Sequence, residues 1–245
     1  MQFNKLASAA IFFAFMVFSF NSWASTEKYE EELKSFIISD YIDYKNWSKE
    51  HDGLDEYAEF LKTVELDSLS ENEFKALLIN AYNAGMIRLI IQNYPIEGVF
   101  DIVPEVFEQK TINIGGRMLS LDDIEHNYLR KTGDCRIHFA IVCGSKGCPD
   151  LSSEIYKAES LEEQLDAAAR KYLSQSKGMV IERESSVVLL SMVFKWFGPD
   201  FGEIEAERLE VLSQYLPDDQ AGFVRENIET VMLRYIEFDW SLNGD

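Results

Sequence analysis

Between Phe74 and Ile91 the chain is apolar at nearly every angular position of a helix, with Leu77, Leu78, Ile79, Ala81, Tyr82, Met86, Ile87, Leu89 and Ile90 all in this run. A helix without a polar face is predicted to lie at the centre of a domain, covered on most sides. Ser70 with Glu73 three residues on forms a capping box at its start, and Pro95 stands just past its end. Upstream, residues 27–62 predict two amphipathic helices joined by an aromatic connection from Tyr41 to Trp47. Downstream, residues 110–120 predict a hairpin turning at Gly115-Gly116. Ser120, followed by Asp122 and Asp123, opens a short helix whose dipole those acids complement. Residues 136–142 alternate Arg, His, Ala and Val against Ile, Phe and Ile, which predicts a strand, followed by the tight loop Gly144-Ser-Lys-Gly147. Ser160 with Glu163 opens a helix to about Leu173, and residues 179–182 and 186–191 read as strands. Helices around 205–215 and 220–229 and an extended run near 232–238 close the chain. Helices and strands come in blocks without strict βαβ alternation, so the predicted class is α+β. The expected architecture is a central buried helix packed with a small, mostly antiparallel sheet and peripheral helices.

The N-terminus changes the picture of where this domain works. Lys5 is the only charge in the first 26 residues, a mostly apolar run from Leu6 to Phe20 follows it, and Ser22-Trp23-Ala24 is a small-x-small triplet. That order predicts a secretory signal cleaved after Ala24, with residues 25–245 as a single exported domain. The apolar run is shorter than the ~20 residues a spanning helix needs, so no stable membrane insertion is expected after cleavage. No cysteine near the site would take a lipid. The expected location is the periplasm or the cell exterior.

Charge narrows the function further. The whole chain carries a formal net charge of −20, and loss of Lys5 would make it more negative by one. No cluster of Lys and Arg interrupts this acidity, which argues against nucleic acid and anionic membranes as partners. Familiar catalytic fingerprints are also missing. Residues 144–147 lack P-loop spacing, Asp200-Phe-Gly202 has no accompanying kinase motif, and neither a Gly-x-Ser-x-Gly elbow nor a His-Glu-x-x-His pair is present. No cofactor is expected.

Three stretches carry most of the remaining signal: Ile79-Asn-Ala-Tyr-Asn-Ala84, Asp123-Ile-Glu-His-Asn-Tyr-Leu-Arg130 and Ile137-His-Phe-Ala-Ile-Val-Cys-Gly-Ser-Lys-Gly-Cys-Pro149. Taken with Phe194-Lys-Trp-Phe197, Asp200-Phe201 and Asp239-Trp-Ser-Leu-Asn243, they make the chain resemble the domain of unknown function 547 family from about residue 30 to Asn243. The resemblance implies a fold but no particular reaction. Cys135 is not part of the pattern.

Cys143 and Cys148, five residues apart with two glycines between, admit three readings. In an oxidising compartment they form a small-loop disulfide. With His138 and His126 they could ligate zinc, although the spacing is loose and no second cysteine pair exists, so no metal is expected. Alternatively, Cys143 is a nucleophile with His126 as its base, and the glycine-flanked loop supplies backbone N–H groups to an oxyanion. His126 shares a helix face with Arg130, and Glu125 precedes it. Strand parity sets His138 opposite to Cys143, so those two are not expected to meet. Asn80 and Asn83 interrupt the apolar helix and must find partners, either a neighbouring loop backbone or His126. His51 is expected to be inert, Cys135 buried, and Trp196, Phe197, Phe201 and Trp240 to serve as packing.

The expected function is therefore a hydrolase or acyl-transfer enzyme of cysteine-peptidase type. Its catalytic candidates are Cys143, His126, Glu125 and Asn80, and its binding candidates Asn83, Arg130, His138, Lys146 and Cys148. The alternative is a non-catalytic periplasmic module, stapled by Cys143–Cys148, that binds a small molecule, a peptide or an envelope protein.

Overall fold

A computed structural model describes residues 25–39 and 41–245; the expected signal segment and its cleavage site lie outside the described residues. The chain begins with helix α1 (residues 25–36), a two-residue hairpin β1–β2 (Ile37–Ile38, Tyr41–Ile42), and helices α2 (Tyr44–Trp47) and α3 (Asp52–Leu61). One carboxylate ties these pieces together. Glu32 on α1 accepts from the Trp47 indole at 3.0 Å and from the backbone N–H groups of Gly53 and Leu54 at 2.5 and 3.1 Å. It thereby caps α3 from outside, where the helix dipole favours an anion.

Helix α4 (Glu71–Asn93) starts at the expected capping box, with both Ser70–Glu73 bonds made. Fourteen of its residues are buried, and all of these except Lys75, Asn80 and Asn83 belong to one core with Tyr29, Leu33, Trp47, Leu54, Tyr57 and the hairpin residues Ile112 and Ile114. That hairpin, β3 (Ile112–Ile114) with β4 (Arg117–Leu119), turns where expected. Gly115 and Gly116 both take positive φ, at 57° and 79°, which side-chain-bearing residues adopt reluctantly.

Helix α5 (Leu161–Ser174) and the strands β5 (Met179–Glu182), β6 (Val187–Ser191) and β7 (Met232–Ile236) follow the expected boundaries closely. β5 pairs antiparallel with β6, and β6 pairs parallel with β7. The class is α+β, as the block order implied. The packing differs in detail, because this sheet builds a second core with α5, α8 (Glu205–Ser213) and α9 (Asp218–Glu226) and does not lie on α4. Two short helices, α6 (Val193–Trp196) and α7 (Gly198–Phe201), connect β6 to α8 and were not legible in the periodicity.

The predicted strand over residues 136–142 does not form. Cys135–Phe139 is a 3-10 helix, started by the Asp134 carboxylate accepting from Arg136 N–H at 3.1 Å. The following residues stay irregular because Asn83 takes the place of a neighbouring strand. Its amide donates to Ala140 C=O and accepts from Val142 N–H, both at 2.9 Å. Asn80 does the same for Tyr156, at 2.8 and 2.9 Å. The two asparagines are thus backbone clamps; the loop-backbone alternative holds, and neither orients His126.

Candidate active site

Ser120 and Asp123 exchange capping bonds, with Asp123 N–H donating to Ser120 Oγ at 2.9 Å and Ser120 N–H to Asp123 Oδ2 at 3.1 Å. The short helix expected here widens into a π-helical stretch, Asp123–Leu129. Such stretches are rare and recur at functional sites. This one carries Glu125 inward and His126 to the rim: Glu125 is 7% exposed, whereas the His126 side chain is 40% exposed.

Opposite the π turn, the 3-10 helix delivers His138, which is buried at 3%. Because no strand forms, the parity that separated His138 from Cys143 does not apply, and both face one cleft of about 180 Å3. His138 Nε2 lies 2.8 Å from Asp200 Oδ2, and its Nδ1 lies 3.6 Å from Glu125 Oε1. The imidazole stacks on Phe197 with centroids 4.3 Å apart. Asp200 comes from α7 and is held from its other side by Arg130, whose Nε and Nη2 donate to it at 2.6 and 2.8 Å. Arg130 also donates from Nη1 to His126 Nδ1 at 3.0 Å and lies over the Phe197 ring at 5.3 Å. The expected His126–Arg130 face is therefore real. Arg130, and not its sequence neighbour Glu125, holds the His126 imidazole, while Glu125 faces His138.

The electrostatics follow from this arrangement. Burial dominates at Glu125, Asp122 adds repulsion, and together they overcome Arg130 to push the carboxyl up to about 7. The Tyr82 hydroxyl hydrogen-bonds the same carboxyl. Burial also holds the His138 imidazole below its ordinary value, against the pull of Asp200. At Asp200 burial pushes the other way, but the bonds from Arg130 and His138 win, and the carboxyl sits well below the usual range. At neutral pH the site therefore holds an ionised Asp200, a neutral His138 with its proton on Nε2, and a Glu125 poised between forms.

The cleft walls are aromatic. Phe107, Trp196, Phe197, Phe238 and Trp240 line it with Tyr82. Trp196 and Trp240 were expected to serve as packing but are 43% and 37% exposed; Phe201 packs in the second core, at 3%, and Phe197 packs against it. Phe238 and Trp240 arrive on the C-terminal strap, which is bonded across the cysteine loop. Lys146 N–H donates to Ser241 C=O and Gly147 N–H to Asp239 C=O, both at 2.9 Å. Gly147 is needed for this approach, because a Cβ there would stand 2.9 Å from the Phe238 ring.

Cys143 and Cys148 form a disulfide on the cleft wall. In this state Cys143 has no thiolate to offer, and the zinc set of Cys143, Cys148, His138 and His126 has lost both sulfurs. Among the described residues no group of three or more His, Cys, Asp or Glu stands together as a metal site. Lys146 points to solvent, and Asn80 and Asn83 serve the scaffold, so these three do not line the cleft. Cys135 is free and half-buried, its thiol pushed up to about 11 mainly by burial, which makes it a poor nucleophile. His51 caps no bond of α3 and pairs with Asp55 at 3.0 Å, away from the cleft.

Residues 66–173 match the family model described as "Protein of unknown function, DUF547". The DUF547 match is confined to residues 66–173. That span holds Tyr82, Glu125, His126, Arg130, His138, Cys143 and Cys148, whereas Asp200, Phe197, Phe238 and Trp240 reach the cleft from sequence beyond it. No curated protein and no solved structure matches the chain.

Asp200 was legible in a failed motif and in the family resemblance but was not singled out as a site residue, yet it anchors the histidine. Replacing Asp200 by Asn leaves Arg130 without its charged partner and lets the buried imidazole choose either tautomer. The expected cost is about 2 kcal/mol at neutral pH. Because the folded carboxyl lies below its ordinary 3.8, this contribution is complete above that pH and fades in acid. Urea titrations of both forms at pH 7 check it; a midpoint that does not move would mean Arg130 and His138 are held by other contacts.

Proposed function

We propose that the protein is a hydrolase that works by acid–base chemistry at Glu125, with His138 as the neighbouring base. The observation that carries this reading is the pairing of a buried carboxyl at about 7 with a neutral imidazole 3.6 Å away in an aromatic cleft. A general acid–base group is most effective when its pKa lies near the working pH. In its ionised form Glu125 takes a proton from an attacking water; in its protonated form it delivers one to the leaving group. Asp200 fixes the tautomer, so His138 presents an unprotonated Nδ1 towards Glu125 and the substrate. His126 lies at the rim, held by Arg130 through its Nδ1, and its other ring nitrogen can meet a developing negative charge.

The thiol mechanism expected from the sequence is not retained, because it requires the sulfur that the disulfide occupies. The bond attacked is an ester or amide next to one apolar group. A cavity of about 180 Å3 is close to what a benzene-sized group fills, and its walls are rings that stack on such a group. The signal-like residues 1–24 support action outside the cytoplasm.

A panel of aryl and acyl esters and of aromatic peptide amides tests the reading. Turnover by the wild-type protein, lost in Glu125→Gln with substrate binding retained, is expected. Tight binding of aromatic ligands without turnover in either protein favours the other reading, a binding module, for which the aromatic walls are the supporting observation.

A further inference from the structure

Acid–base chemistry leaves one lining group of the cleft unused. The Cys143–Cys148 disulfide shares the wall with Glu125, His126 and the aromatic rings. Its two sulfurs are not equivalent. Cys143 is half-buried while Cys148 is buried, and the backbone N–H of Cys143 donates to Cys148 Sγ at 3.1 Å. A nucleophile entering the cleft meets the more accessible residue, Cys143. The electrons released by that attack arrive on Cys148, where an N–H group already points. Hydrogen bonding to the nascent thiolate lowers the pKa of the leaving sulfur, and lower-pKa thiols leave faster.

The loop does not depend on its disulfide to stay closed. Three backbone bonds from the C-terminal strap hold it: Lys146 to Ser241, Gly147 to Asp239, and Asn243 to Gly144 at 3.0 Å. Gly144, at φ +80°, also seats the loop on α4, where a Cβ would stand 2.6 Å from Ile90. Opening the sulfur bridge therefore leaves the cleft wall in place, as a reversible reaction requires.

We propose that Cys143–Cys148 is a thiol–disulfide exchange site whose substrate is the cysteine thiol of a peptide bearing an aromatic neighbour. The substrate thiolate attacks Cys143 Sγ, the S–S bond breaks, and Cys148 leaves as a thiolate that takes up a proton. A mixed disulfide between the peptide and Cys143 results. A second substrate thiolate then attacks the peptide sulfur of that intermediate and releases Cys143, which is protonated in turn. Two thiols become one disulfide, and the protein pair gains the two electrons. The protein's own disulfide is the oxidant for this single turnover. The aromatic neighbour is selected by the ring cluster beside the disulfide, where Phe238 and Trp240 lie 4.5 Å apart and Trp196 and Trp240 5.6 Å apart. The acidic protein disfavours an anionic thiol such as glutathione. The inference shares the cleft with the hydrolase reading but does not rest on it.

The test uses the oxidised full domain, without denaturant, and two thiols: N-acetyl-phenylalanyl-cysteine amide and glutathione. Samples are quenched in acid, weighed intact by mass spectrometry, and mapped by peptide. The expected result is a one-peptide adduct on Cys143, formed about tenfold faster with the aromatic thiol, the margin that one ring contact supplies. In Trp240→Ala that margin is expected to shrink towards parity while the adduct still maps to Cys143. A disulfide that stays closed until denaturant is added overturns the proposal and makes the bridge a structural staple. An adduct on Cys148, or equal rates for the two thiols in wild type, overturns the assigned attack site or the assigned substrate.

Discussion

Glu125→Gln is expected to lower turnover by roughly 10²–10⁴-fold, the usual contribution of a positioned acid–base group, and at the same time to make the protein more stable above neutral pH. The second effect follows from linkage. The carboxyl stands near its ordinary 4.5 when the chain is unfolded and at about 7 when folded. Between those values the folded state binds more protons than the unfolded state, so stability falls as pH rises through that window and stays reduced above it. The shift corresponds to about 3 kcal/mol, a loss that a neutral amide of the same shape does not suffer. Tyr82 can still donate to the Gln carbonyl. Chemical denaturation at pH 5 and pH 8 is the measurement, and it needs no substrate. Wild type should lose stability between the two pH values, and the variant should lose about 3 kcal/mol less. Identical pH slopes would mean that Glu125 titrates as an ordinary surface acid, and the acid–base reading would go with it.

The other large effect belongs to the scaffold. Asn83→Ala strips partners from two buried backbone groups, Ala140 C=O and Val142 N–H, in a place where no strand can replace them. Each orphaned group costs about 1–3 kcal/mol, so a destabilisation of about 3–4 kcal/mol is expected. Asn80→Ala should behave alike, because it abandons Tyr156 in the same way. The two variants part company in the cleft. Asn83 fixes the segment that carries His138, so its loss should also impair turnover, while Asn80 fixes a segment with no cleft residue. Urea midpoints read the stability, and a loss under 1 kcal/mol for Asn83→Ala would show that water substitutes for the amide.

These asparagines also mark where reading the chain in one dimension stops. Their cost inside a helix is a local matter, visible from residue type alone, and it announced correctly that something must satisfy them. Their partners lie 57 and 76 positions away, and nothing local encodes such distances. The misread strand has the same origin. Residues 136–142 alternate as a strand should, but a strand forms only beside another, and here a side chain took the pairing groups first.

What the sequence determined by itself was whatever depends on neighbours within a few residues. The capping box at Ser70, the Ser120 cap, the Gly115-Gly116 turn, the all-round apolar α4, the α+β block order and the His126–Arg130 pair are of this kind. Tertiary structure alone decided the site. It brought Asp200 from α7 to His138, 62 positions apart, and turned Glu125 away from its neighbour His126 towards His138. It also folded the C-terminal strap over the cysteine loop, so that Phe238 and Trp240 became walls. The physical reason is that burial and partner charges set what these groups do. A glutamate at about 7 and a histidine held neutral are properties of the space around them, and that space exists only after distant segments have packed.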